Sequence, residues 1–157
     1  MTNASRIAWF EGAVALALLL GALAFQYIWN YPPCEMCHWQ RWPHIAAAVI
    51  GLGGGILLAG GIVNARFAVV IAALAILGVA ISGGLGVFHA GVEYHWWPGP
   101  AACTTGFVFD GHLDLNAPVP HCDRPAWTLL GVSLAGFNAM ISLGAAALGA
   151  FMLARKP

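Results

Sequence analysis

Four cysteines carry most of the chemical information in this chain of 157 residues. Cys34 and Cys37 form a Cys-Glu-Met-Cys motif, whereas Cys103 and Cys122 come much later and further apart. The short spacing of the first pair permits a disulfide that opens easily when its second cysteine begins a helix and gains stabilisation as a thiolate. The motif also suits half of a tetrahedral zinc site, with His38, His44, Cys103, Cys122 or His121 to complete it, although the second pair lacks knuckle spacing. A bond between Cys103 and Cys122 would remove about 3 kcal/mol of unfolded-chain entropy and so act as a structural staple. A staple alone leaves a redox-type pair elsewhere in the chain unexplained. Two neighbouring pairs can pass electrons by thiolate attack through mixed disulfides. Arg41 follows Cys37 by four positions, which places it on the same face of a helix starting near Cys37. It reads either as an interfacial anchor or as a cation that stabilises a Cys37 thiolate and an anion developing on an electron acceptor.

The positions of these residues depend on the helices that carry them. Six basic and six acidic residues make up 8% of the chain and 61% is hydrophobic, with a mean hydropathy of +0.80. So few polar groups cannot cover a water-facing surface, which excludes a soluble globular domain and makes the lipid bilayer the first partner. Zero formal net charge gives no electrostatic footprint for nucleic acid.

Runs free of Asp, Glu, Lys and Arg cover 12–28, 43–63, 67–88 and 126–153. A helix of about 21 residues is about 32 Å long, enough to cross a hydrocarbon core of about 30 Å. The expectation is an all-α membrane protein: a single integral membrane domain over 1–157, with transmembrane helices near 7–28, 43–63, 67–88 and 126–153. Glu11 would then lie near an interface, and Pro43 in the first turn of the second helix. Loops 29–42 and 89–125 fall on one side. Arg6, Arg66, Arg155 and Lys156 accompany the termini and the short turn, against Arg41 and Arg124 beside the long loops, which predicts cytoplasmic termini. All four cysteines would then face the oxidising compartment, where paired disulfides are the natural state.

The apolar stretch after Arg6, ending at Ala22-Leu23-Ala24, also has the outline of a cleavable signal, but Glu11 interrupts it and no soluble domain follows, so a retained first helix is expected. Gly51 with Gly55, and Ala145 with Gly149, are spaced for close helix approach, and Asn138 reads as an interhelical hydrogen-bonding residue. Tyr27, Trp29, Tyr31, Trp39, Trp42, Tyr94, Trp96 and Trp97 crowd the loop boundaries as an interfacial belt. The apolar residues between Phe107 and Leu115 are suited to a short helix on the membrane surface.

Taken together, Cys34-x-x-Cys37, Arg41, Cys103 after Gly99-Pro100, the stretch from His121-Cys122-Asp123 to Trp127, and Ala135-Gly136-Phe137-Asn138 resemble the DsbB family over nearly the whole chain. A related four-helix family that reduces vitamin K also uses a Cys-x-x-Cys, but there the loop cysteines precede it. The resemblance implies a bacterial inner-membrane thiol oxidase with periplasmic loops. Such an enzyme takes electrons from a DsbA-like periplasmic thiol oxidase and gives them to a membrane quinone, ubiquinone or menaquinone, with no resident metal. It also implies roles: the partner attacks Cys103, the released Cys122 attacks Cys34, and Cys37 is left as a thiolate beside Arg41 to act on the quinone. His89 reads as a quinone-side hydrogen-bonding or proton-transfer group, or as a cap on helix-end carbonyls. His44, one turn beyond Arg41, is a further quinone-side candidate. A membrane zinc-binding protein and a purely structural four-helix subunit are the alternatives.

Overall fold

A computed structural model describes residues 2–100, 103 and 121–155. Four helices in it are long and apolar enough to span a membrane: α1 (Asn3–Tyr27), α2 (Glu35–Ala59), α3 (Ala68–Glu93) and α4 (Leu134–Ala154). The expected four-helix membrane architecture is therefore present. Their starts follow local chemistry. The Thr2 hydroxyl accepts from the Ser5 amide, and the Ser133 hydroxyl from the Gly136 amide, each satisfying an amide that the first turn leaves free.

The helix limits differ from those expected where charge had been used as the boundary. α2 begins at Glu35 rather than near residue 43, so the first connection is shorter than 29–42 and Pro43 lies inside the helix rather than in its first turn. Pro32 and Pro33 keep the backbone extended up to Cys34, which is the N-cap at φ −80° and ψ 173°. Glu35 then sits in the first turn, where a negative charge is favourable, and accepts a hydrogen bond of 2.9 Å from Trp39 Nε1. Further on, α2 passes through a π-helical stretch, Val49–Gly53. α3 runs one turn past residue 88, to Glu93.

α4 begins at Leu134 rather than at 126, because the preceding residues form a hairpin of β1 (Thr128–Leu129) and β2 (Val132–Ser133). Both turn residues have positive φ, Leu130 at 51° and Gly131 at 78°, as a two-residue hairpin turn requires. The Tyr94 hydroxyl, at the end of α3, donates to the Gly131 carbonyl at 2.7 Å and accepts from the Ser133 amide at 2.9 Å. That pair of bonds fixes the segment after Cys122 against the bundle.

The packing inverts that of a water-soluble protein. Leu20, Val69, Leu77, Ile81 and Phe151 face outward, while Ala15, Ala47, Ala72, Ala75 and Ala139 are buried. With hydrocarbon as the solvent, large side chains gain little by burial, and small ones let backbones approach. Gly51 of α2 is one example, where an added Cβ would lie 2.5 Å from the Ala8 carbonyl oxygen and 2.8 Å from the Gly12 Cα of α1. Gly55 fits the Trp9 ring in the same way. Glu11 is fully buried within the bundle, with its carboxylate against Gly149 of α4, and neither oxygen has a hydrogen-bond partner among the described residues.

Candidate redox site

All four cysteines meet at one end of the bundle. Cys34, Cys103 and Cys122 are buried together with Met36 and Val92, and Cys37 and Trp39 pack against them. Cys103 and Cys122 form a disulfide with Cα atoms 5.3 Å apart. Cys34 and Cys37 are free thiols, and the Cys34 thiol donates to Cys37 Sγ at 3.1 Å. That bond, reinforced by burial, holds the Cys34 thiol above its ordinary ionisation range. One pair is thus oxidised and the other reduced, with the two in one apolar cluster.

His89 lies within α3, not at its end, and is 2% exposed. Its Nε2 is 3.5 Å from Cys34 Sγ and 3.7 Å from Glu93 Oε1, one turn on. Its Nδ1 is 2.8 Å from Gln40 Nε2. Helix-end capping is therefore not what occupies this ring.

Arg41 projects from α2 towards α1, where Nη1 donates to Gln26 Oε1 and Nη2 donates to the Ala22 carbonyl at 3.4 Å. A purely interfacial anchor would turn its guanidinium towards lipid phosphates instead. His44 Nε2 pairs with Asn138 Oδ1 at 2.8 Å. Asn138 in turn donates to Gln40 Oε1 at 2.8 Å and to the Ser82 carbonyl at 3.2 Å, so it joins α4 to α2 and α3 as an interhelical amide.

Beside these groups is a cavity of about 430 Å³ between α1, α2 and α4, with Cys37, Arg41, His44 and His89 on its wall. Much of the remaining wall is apolar and aromatic, including Phe25, Trp127 and Phe137, with the rings of Phe25 and Trp127 5.2 Å apart. Of the eight boundary aromatics singled out from the sequence, Tyr31 lines it. Gln26, Gln40 and Glu93 were not singled out. Gln40 lies among Glu35, His38, Arg41 and His44 in the polar first half of α2, so unlike Asn138 in its apolar helix it had no distinguishing signal. The pairing of Gln26 with Arg41 crosses from one helix to another and had none.

Three polar atoms of residues at this cavity are buried and unpartnered among the described residues, Arg41 Nε, His44 Nδ1 and Glu93 Oε2. A flat ring with oxygens at opposite ends, as in a quinone, suits such a wall: Arg41 Nε–H can donate to one oxygen, and the aromatic residues can flank the ring. Cys34, Cys37 and His89 also place three ligand atoms within 4.8 Å of one another. The expected completion of a zinc set by Cys103 or Cys122 is not available here because those sulfurs are bonded to each other. His121, 54% exposed at the side chain, lies beside Asp123 at 3.9 Å. His112, Lys156 and the 107–115 segment fall outside the described residues.

A family model described as disulfide bond formation protein DsbB matches residues 5–152. Among curated relatives, Disulfide bond formation protein B of Burkholderia thailandensis is 40% identical over 77% of this chain and 62% of its own length. Proteins of the same name from Photobacterium profundum and Dechloromonas aromatica are 30% and 28% identical, covering 89% and 95% of this chain and 81% and 93% of theirs. No solved structure matches. A bundle of four membrane-spanning helices, two cysteine pairs in contact and a family match along almost the entire length lead to one conclusion: the chain belongs to the DsbB family and is a multi-pass membrane oxidoreductase of disulfide bond formation.

Proposed function

We propose that this protein reoxidises a DsbA-like thiol oxidase in the periplasm and passes the electrons to ubiquinone or menaquinone in the bacterial inner membrane. The observation that carries this reading is the contact of both cysteine pairs with each other while one pair, Cys34 and Cys37, also borders the cavity between the helices.

Starting with both pairs as disulfides, a partner thiolate attacks Cys103, breaking its bond to Cys122 and releasing the Cys122 thiolate. Cys122 attacks Cys34, which breaks the Cys34–Cys37 bond and frees Cys37. The partner's second thiol displaces Cys103 and the partner leaves as a disulfide. Cys103 then attacks Cys122, re-forming their bond and releasing Cys34. Cys34 and Cys37 now hold both electrons as a dithiol beside an intact Cys103–Cys122 bond, the arrangement described above. Close packing of the four sulfurs gives each exchange a high effective concentration.

A quinone bound in the cavity supplies a two-electron, two-proton acceptor. Arg41, held in place by Gln26, would donate Nε–H towards an oxygen, and Phe25 and Trp127 would flank the ring. Cys37, on the cavity wall, is the sulfur from which the electrons leave as the Cys34–Cys37 bond re-forms.

The test is anaerobic mixing of the purified protein with a reduced thioredoxin-like partner and a soluble quinone, following quinone absorbance. Quinone reduction that disappears after alkylation of the thiols is the expected result. Stoichiometric zinc with protected thiols, or inert disulfides, would replace this reading with one of its alternatives.

A further inference from the structure

The hydrogen-bond directions around Cys34 form a chain whose sense is set by groups that can only accept. The Ser82 carbonyl faces the Asn138 side chain at 3.2 Å, so Asn138 turns its NH2 that way and towards Gln40 Oε1. Its oxygen then faces His44 Nε2 and accepts from the Ser142 hydroxyl at 2.9 Å. Independently, the Met36 carbonyl lies 3.1 Å from the other end of Gln40 and must receive a hydrogen from Nε2. Both anchors give Gln40 the same orientation: its oxygen towards Asn138, its NH2 towards Met36 and His89.

With an NH2 group at 2.8 Å, His89 Nδ1 must be the acceptor nitrogen, and the ring hydrogen of a neutral imidazole must be on Nε2. On that side lie Cys34 Sγ at 3.5 Å and Glu93 Oε1 at 3.7 Å, and the Cys122 backbone carbonyl also accepts from the ring, so the sulfur shares the ring hydrogen with that carbonyl while the carboxylate is out of hydrogen-bonding range. We propose that Gln40 is a positioning residue that locks His89 as an Nε2–H donor to Cys34, stabilising that sulfur whenever it must carry negative charge. In the exchange cycle this is the moment when Cys34 leaves from its bond to Cys122, so its place in the reaction rests on the function proposed above. The same lock disfavours a metal ion at Cys34, Cys37 and His89, because the imidazole nitrogen facing the two sulfurs is the one that carries the hydrogen.

The first test needs no change to the lock: 15N NMR of histidine-labelled reduced protein, with the His89 signals identified by their loss in His89→Gln. Signals of an Nε2–H tautomer at neutral pH are expected, and an Nδ1–H tautomer would overturn the proposal. The second measures Cys34 alone, by alkylation of the reduced Cys37→Ser protein with and without Gln40→Met, a change that keeps side-chain length and removes the amide. A hydrogen bond to a charged group implies alkylation of Cys34 roughly ten- to hundredfold slower without Gln40, together with a mixed tautomer at His89. Unchanged alkylation with an unchanged tautomer would overturn it. Neither measurement uses quinone. A locked tautomer with no quinone reduction would therefore sink the proposed function alone, and normal quinone reduction with an Nδ1–H His89 would sink this inference alone.

Discussion

The two cysteine pairs sit in one cluster and differ in almost everything that surrounds them. Cys34 and Cys37 occupy the cap and first turn of a helix, and side chains from three helices converge on them: His89 from α3, Gln40 from α2 and, through Gln40, Asn138 from α4. Both cysteines also border the cavity. Cys122 lies outside regular structure, and Cys103 is steadied by a backbone bond from its amide to the Pro100 carbonyl at 2.9 Å. Neither borders the cavity. Similar sulfur chemistry is thus placed in two settings, one pre-organised within the bundle and one at the edge of a connection. That contrast suits a pair that meets a lipid-soluble acceptor and a pair that meets a soluble protein.

The largest expected effect comes from separating the pairs by mutation. Cys37→Ser should lower quinone reduction about a thousandfold or more, since groups that act as a unit fail together. Capture of the partner on Cys103 should survive, visible as a mixed disulfide on a non-reducing gel. Cys103→Ser should do the reverse, abolishing partner capture while a small dithiol still reduces the Cys34–Cys37 bond. If either variant lost both activities, the pairs would not be divided in this way.

A smaller effect is expected at Arg41, which belongs to the first pair's surroundings only. Arg41→Lys keeps the charge and removes the Nε–H that faces the cavity, so the KM for quinone should rise roughly ten- to hundredfold with partner capture unchanged. Steady-state kinetics with a soluble quinone would show it. An unaltered KM would reduce Arg41 to a tie between α2 and α1.

The smallest effect sharpens the asymmetry within the first pair. Cys34 is an acid held above its ordinary range, chiefly by its bond to Cys37, so its thiolate is scarce at neutral pH and increases as pH rises. Alkylation of the reduced protein at neutral pH should modify Cys37 on the order of tenfold faster than Cys34. Labelling of Cys34 should gain on it as pH is raised, as peptide mass analysis over a pH series would show. Equal rates throughout would remove the asymmetry.

Glu11 shows what reading the sequence alone leaves out. A carboxylate at the edge of an apolar run suggests an interface and says nothing of its neighbours, whereas in the bundle it is buried where Gly149 leaves room for it, and that room is created by a residue on the last helix. Helix limits failed for a related reason. Glu35 and Arg41 look like boundaries in a scan for charge, but one stands at a helix N-terminus and the other is bonded to Gln26, so α2 continues through both.

By itself the sequence determined that the chain must be a membrane bundle, because its composition leaves no way to cover a water-facing surface. It also determined which residues have redox chemistry, because thiol spacing is local. Only the tertiary structure decided that both pairs share one cluster, that Arg41 turns to Gln26, and that Gln40 rather than any neighbour in sequence sets the hydrogen on His89. Those are contacts between helices far apart in the chain, and hydrogen-bond direction passes along them only after the backbone carbonyls of Met36 and Ser82 are in place.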